Sequence, residues 1–225
     1  MSDTWKGCLA EIIGTFFLTF VGAGAICANA FTNGGVGLVG IALAHGLALS
    51  VAICAFGSIS GGHFNPAVTI ALTVAKKMKA GDAVAWIISQ LVGATLAAYA
   101  LTLILPATAT SAAHLGTPEV AAGIGTGAAL LMEAILTFFL VTAVFMTAVD
   151  ARAPRSIAGF GIGLTVAFDI LCGGPITGAS MNPARSFGPA LAGGYWTLHH
   201  IYWIGPILGA IVASIVYSAV FAKKA

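Results

Sequence analysis

Charge is what this chain has least of. Nine Lys or Arg and seven Asp or Glu among 225 residues amount to 7%, where ordinary soluble domains carry about 25%. So little charge excludes the basic footprint of a nucleic-acid binder and the solvated surface of a soluble domain. Cysteine is also sparse: Cys8, Cys27, Cys54 and Cys172 show no metal-type spacing and read as small packing residues. The "VGAGA" at 21–25 lacks both the third glycine and the preceding strand of a dinucleotide fingerprint. No nucleophile with a base, no metal cluster and no phosphate loop supports an enzyme or a cofactor.

What the chain has instead is apolar length. Hydrophobic residues make up 59%, and runs able to cross a hydrocarbon core, which takes about 20 helical residues, can be drawn near 8–29, 36–56, 83–105, 127–149, 156–173 and 201–222. The reading is an all-α, multi-pass membrane protein with six spans. Lys6, the group Lys76, Lys77 and Lys79, the pair Arg152 and Arg155, and Lys223 with Lys224 then share one side. The positive-inside rule puts that side, with both termini, in the cytoplasm. Only Arg185 breaks the pattern.

The chain is written twice. "EIIGTFFLTF" from Glu11 resembles "EAILTFFLVT" from Glu133, an offset of 133 − 11 = 122. Asn-Pro-Ala occurs at Asn65 and at Asn182, offset by 117, and "QLVGATLAA" from Gln90 matches "PILGAIVAS" from Pro206, offset by 116. One channel-like domain, 1–225, is thus expected to hold two repeats, about 8–105 and about 127–222. Three spans per copy is an odd number, so the second copy enters the membrane upside down. Inverted repeats place their functional site near the midplane, where broken helices meet.

The Asn-Pro-Ala triplets supply the broken helices. Asparagine is a good helix N-cap and proline is pre-shaped for the first helical position. Pro66 to about Lys76, and Pro183 to about Leu191, therefore predict two re-entrant half-helices. The glycine-rich approaches "FGSISGGHF" and "CGGPITGASM" are expected to descend as non-helical chain, which a water-filled lumen tolerates. Two helix N-termini meeting at the centre concentrate partial positive charge there, and small Ala67 and Ala184 let them approach. A central water can accept hydrogen bonds from the Asn65 and Asn182 amides, which interrupts proton hopping. Arg185 adds a barrier to cations. Glu11 and Glu133 are expected to hold the re-entrant loops through backbone N–H groups, with a proton relay as the other reading. His63 is placed in the cytoplasmic vestibule or in packing. Asp169 is left with two roles: a coupling carboxylate of an ion-coupled transporter, or a hydrogen-bonding group towards a loop or a neighbouring subunit.

The doubled Asn-Pro-Ala, "ARSFGPA" after the second copy, and a Glu near the start of spans one and four together resemble the aquaporins, the major intrinsic proteins. The stretch "ILCGGPITGASMNPARSFGPA" resembles most the tonoplast-intrinsic branch and similar ammonia-permeable channels. The resemblance implies the aquaporin fold and a homotetramer in the bilayer, moving water and small neutral solutes passively with protons excluded. It also implies a selectivity filter of His45, Ile170, Ala179 and Arg185, with His114 of the extracellular loop between spans three and four as a fifth member. On that pattern imidazole and Arg185 donors would accept neutral ammonia, with pH-dependent permeation near neutrality. Ser186, Ala190 and the aromatic pair Tyr202 and Trp203 resemble water channels rather than glycerol facilitators. A water-only channel remains the alternative.

Overall fold

A computed structural model of the chain describes residues 4–222; Lys223 and Lys224 lie outside the described residues. Nine α-helices follow in order among them: α1 Thr4–Phe31, α2 Gly37–Ser60, α3 Pro66–Val74, α4 Ala80–Ile104, α5 Ala107–Ala112, α6 Thr126–Val144, α7 Ala158–Thr177, α8 Pro183–Gly193 and α9 Ile201–Val216. A wider π-type turn prolongs α6 through Phe145–Val149 and α9 through Tyr217–Phe221. Six of these segments are long and apolar enough to cross a membrane: Thr4–Phe31, Gly37–Ser60, Ala80–Ile104, Thr126–Val149, Arg155–Thr177 and Ile201–Phe221. Their outer faces suit lipid. Leu103 is 87% exposed and Val220 68%, which water would penalise at about 25 cal/mol per Å² of apolar surface.

Small residues bring the helices together, because van der Waals packing between close backbones holds helices in lipid. At the crossing of α2 and α7, a Cβ on Gly46 would lie 2.6 Å from the carbonyl oxygen of Gly163, and a Cβ on Gly163 would run into the carbonyl of Gly46. Those two glycines are 117 positions apart, the offset of the Asn-Pro-Ala triplets. The same exchange recurs away from the centre. Gly93 of α4 lies against the carbonyl of Ile12 in α1, and Gly209 of α9 against that of Ala134 in α6. Their offsets, 116 and 122, are those read from the repeat.

The half-helices form as their caps dictate. Asn65 is extended (φ −158°) and its side chain accepts from the N–H of Ala67; Asn182 (φ −146°) accepts from Ala184 and Arg185. Proline follows each at the first helical position, where no N–H is needed. Helix α3 stops at Val74, before the expected Lys76, and α8 runs two residues past Leu191.

The approaches differ from expectation. Most of "FGSISGGHF" and "CGGPITGASM" is helical: α2 continues through Ser60 and α7 through Thr177, across Pro175. Each helix ends on a left-handed glycine, Gly61 (φ 91°) and Gly178 (φ 83°), whose N–H returns to the carbonyl of Gly57 or Gly174. This is the glycine C-cap, and it confines the non-helical chain to 61–65 and 178–182.

Candidate channel lining

Each re-entrant loop is held by one buried acid. Glu11 accepts from Ser60 Oγ (2.6 Å), the N–H of His63 (3.0 Å), the N–H of Phe64 (2.7 Å) and Gln90 Nε2 (2.7 Å). Glu133 accepts from Thr177 Oγ1 (2.7 Å), the N–H of Ser180 (3.0 Å) and the N–H of Met181 (2.8 Å). The second copy has Pro206 where the first has Gln90, so Glu133 lacks that fourth donor. A further pair braces the helix ends: Trp86 Nε1 donates to the carbonyl of Ser60 (3.0 Å), and Tyr202 Oη to that of Thr177 (2.9 Å). This placement supports the holding role read for both acids, since carboxylate oxygens saturated by loop donors are anchored.

Between the loops the two asparagines cross over. Asn65 Nδ2 donates to the carbonyl of Met181 (2.9 Å), and Asn182 Nδ2 donates to the carbonyl of Phe64 (2.8 Å). Phe64 and Met181 are both left-handed, with φ of 48° and 54°, and so turn their carbonyls towards the opposite half. With each Oδ1 engaged at its own helix start and one amide hydrogen engaged across the midplane, one N–H per asparagine is left over. Both residues line a cavity.

That cavity is apolar along its length, walled by Leu18, Leu49, Val68, Leu140, Val144, Ile162 and Val166, with polar groups at three levels. His63 stands at one end, its Nδ1 3.0 Å from Thr69 Oγ1. The asparagines stand in the middle, and His45 with Arg185 at the other end. Ile170 and Ala179 complete the wall there. A second, wider cavity opens beyond, also bordered by His45 and Ile170, so His45 and Ile170 mark the neck between them. The repeat offset makes the asymmetry explicit. Arg185 corresponds to Val68 and Ile162 to His45, since 185 − 68 and 162 − 45 are both 117. The chain places cationic chemistry at one end only.

Arg185 is buried. Its Nη1 donates to the carbonyl of Gly116 (2.7 Å), and its Nε and Nη2 lie 3.3 and 3.0 Å from His45 Nε2. A guanidinium only donates, so Nε2 presents its lone pair; Nδ1 therefore carries the hydrogen, 2.8 Å from the carbonyl of Ile41. Gly22 clears the space for the ring, since a Cβ there would collide with the imidazole. Both ring nitrogens are thus engaged. The expectation that imidazole donates to a solute is corrected: two N–H groups of Arg185, five less the three described, are the donors left at this level.

His114 departs from expectation. It borders the wider outer cavity and not the neck, its ring stacked on Tyr195 at 3.9 Å and its Nδ1 3.4 Å from Glu119 Oε2. What reaches Arg185 from this loop is the backbone of Gly116. Asp169 is fully buried in α7, outside the cavity lining, and among the described residues no donor reaches either oxygen. Ser186, after Arg185, is buried and bonds the carbonyl of Asn182 (3.2 Å) and Ser180 Oγ. Among the described residues no cluster of His, Cys, Asp or Glu suits a metal ion.

Six crossing helices and two half-helices capped nose to nose around a narrow lumen define a membrane channel. The chain matches the model of the major intrinsic protein family over residues 1–217, and it belongs to that family. It is 43% identical to aquaporin TIP4-4 of Zea mays over 226 residues, covering 96% of this chain and 86% of that relative. With aquaporin AqpM of Methanothermobacter thermautotrophicus the identity is 44%, covering 96% and 98%. The crystal structure of the aquaglyceroporin from Plasmodium falciparum superposes with a TM-score of 0.80 at 25% identity, covering 96% of each chain. The family is one of passive channels for water and small solutes, not of enzymes.

Proposed function

We propose that the protein is a water channel that excludes protons and also passes neutral ammonia. The observation that carries the proton claim is the crossed pair of asparagines. Their oxygens and one hydrogen each are engaged in the protein, so the middle of the lumen offers donors only. A water there accepts from both amides and directs its own hydrogens outwards. It cannot take a proton from one neighbour and pass another on. The two half-helix N-termini oppose cations at the same level, and Arg185 opposes them again at the neck.

Ammonia rests on the neck's composition. Ile170 and Ala179 line the cavity with Arg185 and add apolar wall there, and the free guanidinium N–H groups can bind the lone pair of neutral ammonia while their charge repels ammonium. Asp169 lies away from the lumen, which favours a passive route over ion coupling. Ser186 is tied into the second loop and offers the neck no acid, which favours water over glycerol. Relatives that carry the name aquaporin, TIP4-4 of Zea mays and AqpM of Methanothermobacter thermautotrophicus, favour water in the same way. We further assign both termini to the cytoplasm, from the basic residues Lys76, Lys77, Lys79, Arg152 and Arg155, and a homotetrameric assembly, from the family.

Reconstituted vesicles with an interior pH dye test the ammonia claim. Under an inward ammonium gradient they should alkalinise faster than protein-free vesicles. Fast osmotic shrinkage without faster alkalinisation leaves a water-only channel.

A further inference from the structure

The loop that holds Arg185 is itself strained and clasped. Its backbone passes through three consecutive left-handed residues, His114 (φ 44°), Leu115 (φ 53°) and Gly116 (φ 74°). Glycine takes that conformation freely, but for His and Leu it costs about 1–2 kcal/mol each, and such strain persists only where the surroundings over-determine it. Leu115 is locked by burial among Ala23, Cys27, Ala98 and Leu101. Gly116 sits so close to α1 that a Cβ on it would lie 2.7 Å from Ala23.

His114 is held by a half-exposed cluster. Its ring stacks on Tyr195 with planes 9° apart, Tyr195 Oη donates to Glu119 Oε1 (2.8 Å), and Glu119 Oε2 lies 3.4 Å from His114 Nδ1. The three side chains close a ring joining the loop after α5 to the loop after α8. Two residues from His114, the strained turn delivers the carbonyl that Arg185 Nη1 binds at 2.7 Å.

We propose that His114, Tyr195 and Glu119 are positioning residues for Arg185. Their clasp keeps the left-handed turn formed, the turn fixes the Gly116 carbonyl, and that carbonyl together with His45 fixes the guanidinium across the neck. When the clasp opens, the turn relaxes, Arg185 loses one of its three bonds, and the neck admits larger neutral solutes. This rests on the reading of Arg185 as the filter cation.

The test is the ratio of urea to water permeability in proteoliposomes, with Tyr195→Phe, Glu119→Ala and Glu119→Gln. Tyr195→Phe keeps the ring stack and removes only the hydroxyl; it and Glu119→Ala should raise the ratio several-fold. Glu119→Gln, which keeps an oxygen for Tyr195 Oη, should stay nearer to wild type than Glu119→Ala. A clasp that served only stability would lower the amount of folded protein and both permeabilities together. If Tyr195→Phe conducts water with an unchanged ratio, the proposal is overturned whether or not Glu119→Ala folds. Absence of water flux in the wild type would remove the channel reading itself, and the proposal with it.

Discussion

Arg185 presents two of its N–H groups to a single acceptor, Nε2 of His45, at 3.3 and 3.0 Å. The imidazole is therefore a support for the guanidinium and has no hydrogen left for a solute. A proton could be added at Nε2 only by breaking that contact.

Removing the cation while keeping the cap separates filter from fold. Arg185→Val restores the residue that the repeat places at Val68, and Asn182 still caps α8 through Ala184 (3.0 Å). The variant should fold and conduct water, with cation leak under an imposed voltage raised several-fold. Unchanged cation exclusion would assign the barrier wholly to the half-helix termini.

The loop acids should behave as anchors. Glu11→Ala strands the N–H groups of His63 and Phe64 and one of the two amide N–H groups of Gln90, whose other bond, to Thr69 Oγ1, remains, and each orphaned buried group costs about 1–3 kcal/mol. Glu133→Ala strands one donor fewer and should be the milder of the two. Thermal denaturation in detergent, followed by size-exclusion chromatography, should give lower midpoints for both, with Glu11→Ala lower. Variants that melt like wild type but have altered proton flux would point to the relay reading instead.

The α2–α7 crossing predicts a large effect from one methyl group. In Gly163→Ala the new Cβ meets the Ser50 side chain and the Gly46 carbonyl, and overpacking of this kind costs about 1–3 kcal/mol. Gly161→Ala on the same helix has only Thr147 Cγ2, at 3.8 Å, and should be tolerated. Recovery of monodisperse protein compares the two directly.

At the end of the bundle away from Arg185, Asp150 is bound by Arg152 through its Nε (2.8 Å), its Nη2 (2.9 Å) and its backbone N–H (2.9 Å), and Arg152 reaches on to the carbonyl of Phe221. These hydrogen bonds hold the Asp150 carboxyl well below the usual carboxylate range. A carboxyl depressed by folding stabilises fully above its unfolded value, about 3.9, and loses that contribution as pH falls through the depressed value. The melting difference between wild type and Asp150→Asn should therefore be constant from about pH 5 to pH 8 and close only in strong acid. A difference that changes between those limits contradicts the assignment.

Much of this architecture was legible because membrane and cap chemistry are local. Apolar length marked the spans, Asn-Pro marked both half-helices, and the Glu11 and Glu133 repeat marked the loop anchors. The ends of α2 and α7 were not legible, because runs of glycine read as loop. The usable signal was narrower: the glycines at 61 and 178, each closing a helical turn as a left-handed cap. The tautomer of His45 and the placement of His114 were out of reach for another reason. Both depend on partners far away in the chain, Arg185 for the one and Tyr195 for the other, and no local pattern encodes those contacts. Asp169 stood out in the sequence as an intramembrane acid, yet nothing local says that it points away from the lumen.

Proton exclusion by the asparagine pair is decided by measuring water and proton permeability on one preparation of proteoliposomes, by stopped-flow light scattering and by an interior pH dye under an imposed voltage. Water permeability should rise in proportion to reconstituted protein while proton permeability stays at the level of protein-free vesicles. Proton flux that rises in step with water would contradict the claim that the crossed Asn65 and Asn182 amides break the hydrogen-bonded chain of water.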